Sequence, residues 1–438
     1  MSWTEASRQT RIEDTYDVIV CGGGPAGVAA AVSAGRAGAR TLLLELGGCL
    51  GGIWTQGMAA LALDIKGKGG LMQEIRSTLL DRGGLRQRRP ERPEDFLLAG
   101  EAMKYLLDEL VIGASVDVLF HTRVVAPMVQ GDSILGVITE HSGGRTAFAG
   151  SIILDCTGSG QLAALAGCGF AAGHPETGKL QPASMLAVVM GIPDDAEADI
   201  HKDRFYFFLR ELGFEPSSKN RSAGVLPLPY PGLYMFSVNH EFDVAFDSPH
   251  SVTQATLRAR REFHAAIAVL REKAGWKDLR LLSTSTHIGL REGRRIEGRY
   301  GLTLDDMQAG RRFADGICTV HFGVDIHALD PDDTLGCGNQ GVEIQPYQIP
   351  LRSLIAANYQ NLGMAGRCIS GDFFAHASYR VTGNAVPMGE ALGFAAAVAV
   401  QTGRSLPDID GAMVSAEMRR RGYALALPAD SCATTIEA

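Results

Sequence analysis

The chain has 438 residues, of which 46% are hydrophobic and 21% charged, and its formal net charge at pH 7 is −8. This length allows two or three domains with a large buried core. The acidic balance argues against nucleic acid or an anionic membrane surface as the main partner, because both attract clustered positive charge. The basic stretch 82–92 is an exception, and its glycines and proline predict a solvated surface loop.

The eight cysteines form no Cys-x-x-Cys pair, so the sequence does not support a zinc site, an iron–sulfur cluster or a redox disulfide of that type. Scattered thiols suit a reducing compartment. Residues 2–14 are polar and lack the apolar core of a signal peptide. No uncharged apolar run reaches the length of a membrane span. We therefore expect a soluble, cytoplasmic protein without a bound metal.

The first motif runs from Asp17 to Glu45 and reads strand, glycine turn, helix, strand and acid. In the turn, Gly22 allows a tight bend, Gly24 lets the backbone approach a pyrophosphate, and Gly27 lets the helix pack on the strand. The helix N-terminus offers free N–H groups to phosphates, and the acid can accept hydrogen bonds from a ribose. The motif therefore predicts a dinucleotide site with contacts from Gly22, Gly24, Pro25, Ala26, Gly27 and Glu45.

Residues 47–55 form a loop that is too glycine-rich for a regular element and too apolar for an exposed linker. A loop that passes close to a ligand explains both properties. We therefore predict that Gly51, Gly52 and Thr55 lie at the bound dinucleotide.

Regular elements follow in chain order. Apolar spacing predicts helices over 70–80 and 101–110. A β-branched run predicts a strand over 116–125, and short strands with turn signals predict a β-meander over 133–149 that leads into a strand at 152–155. These elements extend the sheet that the first motif begins.

The pattern changes between residues 170 and 340, where apolar strands mix with helices and polar loops, and we interpret this stretch as an inserted domain. Strands at 349–355 and 361–365 return to the first domain, and a small-residue helix over 387–401 packs on its sheet. The predicted fold is α/β, a Rossmann-like domain (parallel sheet plus β-meander) with an inserted α+β substrate domain. The predicted divisions are a discontinuous first domain at 16–170 and 341–405, a substrate or cap domain at 171–340, and a C-terminal helix and tail at 406–438.

Five segments together resemble the FAD-dependent oxidoreductases of the glutathione-reductase-like, two-dinucleotide-binding-domain flavoprotein superfamily. They are residues 22–45, 50–52, 154–158, 291–295 and 361–393. The resemblance covers the chain from Asp17 to about Gly403, and it implies that FAD is the cofactor. A second Gly-x-Gly-x-x-Gly unit is not evident in the sequence, so we expect no separate NAD(P)H domain.

The resemblance also implies further cofactor contacts. In relatives, the backbone near Val124 hydrogen-bonds adenine, the turn at 157–158 wraps the FAD near its pyrophosphate, and the strand ending at 366–367 passes the pyrophosphate and ribityl chain. The next helix lies against the isoalloxazine ring with its N-terminus at the N1–C2 edge, and Pro387 fits the first turn of that helix. The contacts implied in this way are Val124, Thr157, Gly158, Gly366, Arg367, Asn384 and Met388.

Candidates for catalysis surround that helix. The resemblance places His376, Tyr379 and Arg380 on the substrate side of the flavin. Arg380 can hold a substrate carboxylate or support the flavin. His376 can take a proton as hydride leaves the adjacent carbon, or it is a hydrogen-bonded structural histidine. His321 and His327 lie in a segment that resembles the active-site face of the second domain, and either can act as an acid or base.

Other charged residues leave two interpretations open. The arginines of 291–299, with glutamates among them, predict either a salt-bridged network between domains or a pocket for an acidic substrate. Lys66 and Lys68 follow the glycine-rich loop and either help to activate oxygen above the flavin or are ordinary surface lysines. Cys49 lies on the same loop, so a covalent bond to the flavin is the alternative to the non-covalent FAD that we expect.

The sequence predicts an FAD-dependent dehydrogenase or oxidase. In this interpretation hydride passes between a small organic substrate, at a C–H next to N or O, and flavin N5, and the electron acceptor is unknown. The alternatives are a C=C reductase or desaturase of the fumarate- or prenyl-reductase type, and a non-redox FAD-binding module. An RNA-modifying flavoprotein is disfavoured by the acidic charge. Whether the protein forms a homo-oligomer stays open.

Overall fold

The computed structural model describes residues 3, 6–219, 223–333, 337–425 and 436–437. Its helices are α1 Pro25–Arg36, α2 Gly70–Asp81, α3 Gly100–Gly113, α4 Gln161–Leu165, α5 Glu197–Ile200, α6 Lys202–Glu211, α7 Pro249–Glu272, α8 Leu304–Gln308, α9 Phe373–Tyr379, α10 Thr382–Thr402 and α11 Gly411–Arg420. Short 3-10 turns lie at Gly52–Trp54, Leu351–Leu354 and Leu406–Asp408.

The strands are β1 Ile12–Cys21, β2 Thr41–Leu44, β3 Leu61–Ala62, β4 Leu85–Arg89, β5 Arg92–Leu98, β6 Asp117–Leu119, β7 Arg123–Gln130, β8 Ser133–His141, β9 Gly144–Asp155, β10 Phe170–Ala171, β11 Ala187–Met190, β12 Gly224–Pro227, β13 Leu233–Ser237, β14 Arg280–Thr284, β15 Arg295–Ile296, β16 Arg312–Phe313, β17 Gly316–Val320, β18 Ile326–His327, β19 Cys337–Gly338, β20 Tyr347–Pro350, β21 Leu362–Met364 and β22 Ile436–Glu437.

The main sheet combines a parallel part with an antiparallel meander. Strand β1 lies between β2 and β9 and is parallel to both, with Val18 opposite Thr41 on one side and Ile152 on the other. Strands β6 and β21 extend the parallel part, whereas β7, β8 and the first half of β9 are antiparallel. The apolar end of β1 is buried, as expected for a parallel strand covered on both faces. The predicted fold class is confirmed.

Helices α1 and α10 pack against each other at very close range. A Cβ atom at Gly389 would lie 2.0 Å from the carbonyl oxygen of Ala26, and one at Gly393 would lie 2.1 Å from that of Ala30. Small residues therefore set the distance between these two helices. Within the described residues, α10 is the one helix with the length and apolar content of a membrane span, and 83% of its most apolar window is buried in the protein.

The start of α10 differs from the sequence prediction. The helix begins at Thr382, so Pro387 lies inside it and not in its first turn, and that part of the prediction was wrong. Proline at this position removes the hydrogen bond to the carbonyl four residues earlier and crowds that residue. Here that residue is Gly383.

A second core lies in the inserted region. The antiparallel sheet β12-β13-β11-β14 packs with α6 and α7 around buried residues from Ala183 to Ile288. Side chains between Leu302 and Ile326 instead join the first core. The domain divisions stay a prediction, and the predicted tail is described only for 421–425 and 436–437 beyond α11.

The basic stretch 82–92 is not a loop. Strands β4 and β5 form an antiparallel hairpin within the order β3-β5-β4. The apolar end of β5, residues 96–98, is buried and anchors the hairpin, while the arginine-rich β4 is the edge strand. Charged side chains are common on an edge because one side of it faces water, so the glycines and proline were misleading here.

Candidate functional site

The glycine turn between β1 and α1 has space for a ligand at one position. A Cβ atom at Gly22, whose φ is +105°, would lie 2.6 Å from the carbonyl oxygen of Cys156, and one at Gly27 would lie 1.7 Å from that of Gly22. A Cβ atom at Gly24 would have no atom within 4 Å beyond its chain neighbours. Gly24 is the N-cap of α1, and no side chain caps it. The first amides of α1 therefore border open space, which suits a phosphate.

Glu45 holds its carboxylate beside this turn. The residue follows β2 and is buried. Its Oε2 accepts a hydrogen bond of 2.7 Å from the Gly23 amide, and its Oε1 accepts one of 2.6 Å from the Gly47 amide and one of 3.2 Å from Gln56 Nε2. An ionised carboxylate has about four acceptor sites. One of them remains for a ribose hydroxyl after these three contacts.

The loop at 47–57 packs directly on the glycine turn. The Gly51 amide donates to the Gly23 carbonyl at 2.8 Å, and a Cβ atom at Gly52 would lie 3.1 Å from Gly24 Cα. Thr55 Oγ1 donates to the carbonyl of Leu50 at 2.5 Å. The predicted contacts Gly51 and Gly52 are thus brought to the turn that carries Gly24.

Cys49 belongs to this loop and is partly buried. Its Sγ lies 3.8 Å from Thr55 Oγ1. Thr55 is itself bonded within the loop, so the thiol lies beside a fixed side chain of its own loop, and a covalent bond to the flavin stays an open alternative.

The ends of β9 and β21 meet α1 at the same place. Gly366 approaches Ala26, because a Cβ atom at Gly366 would lie 3.3 Å from Ala26 Cβ. The guanidinium of Arg367 lies across Gly158, where an added Cβ would be 2.9 Å from Nη2. Arg367 Nη1 also donates to the carbonyl of Leu290. A cation is therefore available close to the helix N-terminus that suits a phosphate.

Thr157 and Asp155 serve the turn between β9 and α4. Thr157 Oγ1 donates to Asp155 Oδ1 at 2.7 Å and accepts from the Gln161 amide at 3.0 Å. Asp155 Oδ2 accepts from the Ala163 amide at 2.9 Å. The Thr157 side chain is thus used within the turn, and its contact with the cofactor stays a prediction.

Asn384 and Met388 are fully buried in α10. Asn384 Oδ1 accepts a weak hydrogen bond of 3.5 Å from Cys318 Sγ. Its Nδ2 is buried and has no hydrogen-bond partner among the described residues. An unmade bond to a buried donor is costly, and the contacts of Asn384 and Met388 with the cofactor stay a prediction. Val124 lies at the start of β7, two residues after Thr122, whose amide donates to the Glu45 carbonyl at 3.0 Å.

Arg380 and His327 are linked by the carboxylate of Asp325 and by the side-chain amide of Gln181. Arg380 Nη2 donates to the Asp325 carbonyl at 2.7 Å and lies 3.4 Å from Asp325 Oδ2. His327 Nε2 lies 3.4 Å from the same Oδ2. Gln181 Oε1 accepts from Arg380 Nη2 at 3.2 Å and from the His327 amide at 3.0 Å. We call these residues, with His240 and Arg291, the Arg380 cluster.

His240 completes the environment of His327, since its Nε2 lies 2.8 Å from His327 Nδ1. Burial and the charge of Arg291 together lower the pKa of His327 to about 4, against the opposing effect of Asp325. Burial, followed by the charge of Arg291, also holds the pKa of His240 well below its usual range. Both imidazoles are therefore neutral at pH 7.

Asp325 is the anion of the cluster. Burial acts to raise its pKa, but the hydrogen bond from His327 and the charges of Arg380 and Arg291 hold that pKa well below its usual range. Asp325 and His327 also place donor atoms within 4.8 Å of Cys337 Sγ. Two guanidinium groups beside the same carboxylate oppose a cation there, and the expectation of no metal stays a prediction.

Arg291 is partly buried and donates to neutral partners. Its Nη1 donates to the Pro182 carbonyl at 2.6 Å and to Ser184 Oγ at 2.9 Å. No acidic group of the described residues forms an ion pair with it. Arg295, in contrast, lies 3.4 Å from Glu292 in a buried pair. Within the described residues, the segment thus contains two separate ion pairs, at Arg294 and Arg295, and two guanidinium groups outside them, the partly buried Arg291 and the exposed Arg299.

His376 and Tyr379 lie deeper than predicted. Both are fully buried in α9, and Tyr379 OH donates to the Ile369 carbonyl at 2.9 Å. Neither ring nitrogen of His376 has a hydrogen-bond partner among the described residues. Burial, with the nearby charges of Arg380, Arg295 and Arg367, holds the pKa of His376 well below its usual range. The catalytic roles of both residues stay predictions.

Lys68 is not a surface residue. Its ammonium lies 3.3 Å from Asp64 Oδ2, and the two side chains are 1% and 2% exposed. Lys68 Nζ also donates to the Thr319 carbonyl, and the amide of His321 donates to Asp64. Lys66, in contrast, is exposed. Of the two lysines, only Lys68 is placed inside the protein.

Comparison with known proteins decides which family this geometry belongs to. Residues 17–418 match the family model described as FAD dependent oxidoreductase. The chain belongs to the FAD-dependent oxidoreductase family. FAD is accordingly its cofactor, and the residues around the glycine turn fit that cofactor, with open space at Gly24 and a buried acid at Glu45.

The relatives named here either match a small part of this chain or share little sequence identity with it. The tRNA uridine 5-carboxymethylaminomethyl modification enzyme MnmG of Dichelobacter nodosus is 33% identical over 145 residues, which cover 29% of this chain and 22% of that protein. The chain therefore spans about a fifth of that relative. The anhydrotetracycline hydroxylase OxyS of Streptomyces rimosus is 15% identical, with a TM-score of 0.50 over 94% of this chain and 69% of the other. The aromatic hydroxylase CabE from angucycline biosynthesis has the same TM-score and coverage at 12% identity. These structures share the fold.

Proposed function

We propose that this FAD-dependent oxidoreductase oxidises a small organic substrate at a C–H bond next to N or O. The observation that carries the proposal is the Arg380 cluster, which combines a neutral imidazole at His327, a carboxylate at Asp325 and two guanidinium groups. Residues 286–296 connect the cluster to the cofactor turns. The Thr286 amide donates to the Gln56 carbonyl at 3.0 Å, and the Leu290 carbonyl accepts from Arg367.

The oxidation removes a hydride from carbon and a proton from the neighbouring N–H or O–H, which leaves a C=N or C=O bond. Bound FAD supplies the hydride acceptor, and the two electrons then leave to an acceptor of unknown class. His327 is suited to accept the proton from the substrate N–H or O–H. Its Nε2 lies 3.4 Å from the Asp325 carboxylate and its Nδ1 lies 2.8 Å from His240 Nε2, so Asp325 stabilises the positive charge that forms when His327 takes the proton.

His376 is a poorer base than His327. Protonation of His376 would add a positive charge near Arg380, Arg295 and Arg367, and no carboxylate is among the groups that shift its pKa. The His327 imidazole has Asp325 to offset the charge of Arg291. We therefore assign proton transfer to His327 and retain His376 as a second candidate.

The cap supports a direct reaction with an organic substrate. Its sheet β12-β13-β11-β14 is antiparallel throughout. A second dinucleotide-binding domain would be built on a parallel sheet with a glycine turn. This difference favours a substrate-binding cap over an NAD(P)H domain.

The cellular setting is also a proposal. The cysteines of the described residues are free, and Cys432 lies outside those residues. Free thiols in apolar surroundings suit a reducing cytoplasm. The acidic balance disfavours nucleic acid as a partner, so we propose that the enzyme acts on a small molecule.

Anaerobic spectroscopy tests the reaction. Purified enzyme loaded with FAD is mixed with amines, hydroxy acids and enoates, and bleaching of the flavin absorption is followed. At least one amine or hydroxy acid is expected to bleach the flavin. If none does, and enoates instead reoxidise chemically reduced flavin, the enzyme is a C=C reductase. If neither occurs, it is a non-redox FAD-binding protein.

A histidine variant tests the assignment of the base. His327→Gln should keep its flavin but lose roughly 100-fold or more in the bleaching rate, the usual contribution of a general base. His250→Gln, at an exposed histidine of α7, is the matched control and should react like the wild type. Equal rates for all three proteins would contradict the role of His327.

A further inference from the structure

The Arg380 cluster has more positive than negative charge. Arg291 and Arg380 are its cations and Asp325 is its anion, while His240 and His327 are neutral because their pKa values are lowered. The cluster therefore carries one more positive charge than negative charge.

The neighbouring charged groups do not cancel this excess. Glu292 is paired with Arg295 at 3.4 Å, so its charge is already used. Arg88 also lies in the field of Asp325 and adds positive charge. Cys337 also lies near Arg291, and its side chain is a thiol and not a carboxylate. Charge that is removed from water without a counter-ion is costly, so the cluster favours an anion.

Both guanidinium groups keep donors for such an anion. Within the described residues, the hydrogen bonds of Arg291 leave from Nη1, and those of Arg380 leave from Nη2. A guanidinium has five N–H donors in a planar fork. The remaining edges match the two oxygens of a carboxylate.

The position of Arg291 directs the anion toward the cofactor. Arg291 follows Leu290, whose carbonyl accepts from Arg367. Two residues later, a Cβ atom at Gly293 would lie 3.0 Å from Ser159 Cα in the turn after β9. An anion at Arg291 is therefore next to both His327 and the cofactor turns.

We propose that the substrate carries a carboxylate, which Arg291 and Arg380 bind next to His327. The inference rests on the proposed function and adds the substrate class. Arg291 is then a specificity-determining residue, and the enzyme discriminates between an acid and the corresponding amide.

Binding to the FAD-loaded enzyme tests the substrate class without turnover. The probes are acetate, benzoate and succinate with their amides, and the readout is the perturbation of the flavin absorption spectrum. At least one acid is expected to bind about tenfold or more tightly than its amide, the usual effect of a charge-assisted hydrogen bond. If every acid and amide pair binds equally, or no acid binds, the inference is wrong.

Variants identify the binding residue. Arg291→Met should weaken the binding of the acids by about 10- to 100-fold and leave the amides unchanged. Arg291→Lys keeps the charge without the fork, so it should lie between the wild type and Arg291→Met. The control is Arg280→Met at an exposed arginine of β14, which should bind like the wild type. Unchanged acid binding in Arg291→Met would overturn the inference.

Failures of the two proposals can be told apart. If Arg291→Met loses its FAD, Arg291→Lys and the acid-to-amide ratio of the wild type decide the question. Discrimination for acids without flavin reduction by any substrate would contradict the proposed oxidation and retain the carboxylate site. Reduction by a neutral amine without such discrimination would contradict the carboxylate site and retain the oxidation.

Discussion

Replacement of Gly24 by alanine separates cofactor binding from folding. Gly24 has φ −71° and ψ −176°, an extended conformation that alanine adopts without strain, and its Cβ would have no neighbour within 4 Å. Gly24→Ala should therefore leave the FAD-free protein as stable as the wild type or more stable by about 0.4–1 kcal/mol, because alanine has fewer unfolded conformations.

The same methyl group should weaken FAD binding. The open space at Gly24 adjoins the first amides of α1, where we place the pyrophosphate. A methyl group that overpacks a close contact costs about 1–3 kcal/mol, or roughly 5- to 150-fold in Kd. FAD affinity is measured by quenching of flavin fluorescence, and stability by thermal unfolding of the FAD-free protein.

Two glycine variants serve as controls. Gly113→Ala makes the same chemical change at the end of α3, where a Cβ would also have no neighbour within 4 Å, and FAD affinity should not change. In Gly27→Ala the Cβ would lie 1.7 Å from the Gly22 carbonyl oxygen, so the fold itself should be destabilised. If Gly24→Ala binds FAD as tightly as the wild type, the open space at Gly24 is not the phosphate site.

Three further predictions concern single side chains. Lys68→Met should destabilise the protein by about 3–5 kcal/mol in urea unfolding, because it leaves the buried Asp64 carboxylate unpaired. Adding Asp64→Asn should restore part of the loss, and Lys66→Met should have no effect. The rate of flavin reduction should fall as pH drops through about 4, where His327 gains a proton; a fall near pH 6.5 would contradict its burial. Acid precipitation should release the flavin from wild type and from Cys49→Ser alike, and flavin retained only by the wild type would indicate a covalent bond.

The cofactor motif could be predicted because its parts lie close together in the chain. Residues 17–45 form a strand, a turn, a helix and a second strand, and the acid follows the glycines at a fixed spacing. Neighbouring parallel strands then bring Glu45 back to the turn. Each step depends on local periodicity and on the geometry of one βαβ unit, so few long-range contacts are needed.

The Arg380 cluster could be predicted only in part. The sequence indicated Arg380 and His327 separately, and Asp325 lies in the same short segment as His327. Gln181 and His240 have no local signal of function. They reach the cluster because the cap chain pairs Ala183 with Glu241 and Ser184 with Gly289, which are contacts between residues far apart in the sequence.

Burial of single side chains was equally hard to predict. The resemblance left His376 as either a base or a structural histidine, and α9 places it in the core. The residues next to Lys68 in the sequence do not indicate burial, but its ammonium is paired with Asp64 inside the protein. The sequence shows where charged residues stand along the chain, whereas tertiary packing decides which of them are buried.

The two halves of the site depend on different kinds of interaction. In the site that we propose, FAD binding rests largely on backbone: an uncapped helix end, glycines without side chains and one acid. The proposed substrate binding rests on side chains that come from the cap and from the segment before α10. Residues 286–296 include Arg291 of the substrate half, and they contact the cofactor half through Gln56 and Arg367. A change at Arg291 should therefore alter substrate choice before it alters cofactor binding, because the charged group that we propose for the substrate is a side chain, while Thr286 and Leu290 reach Gln56 and Arg367 through main-chain atoms.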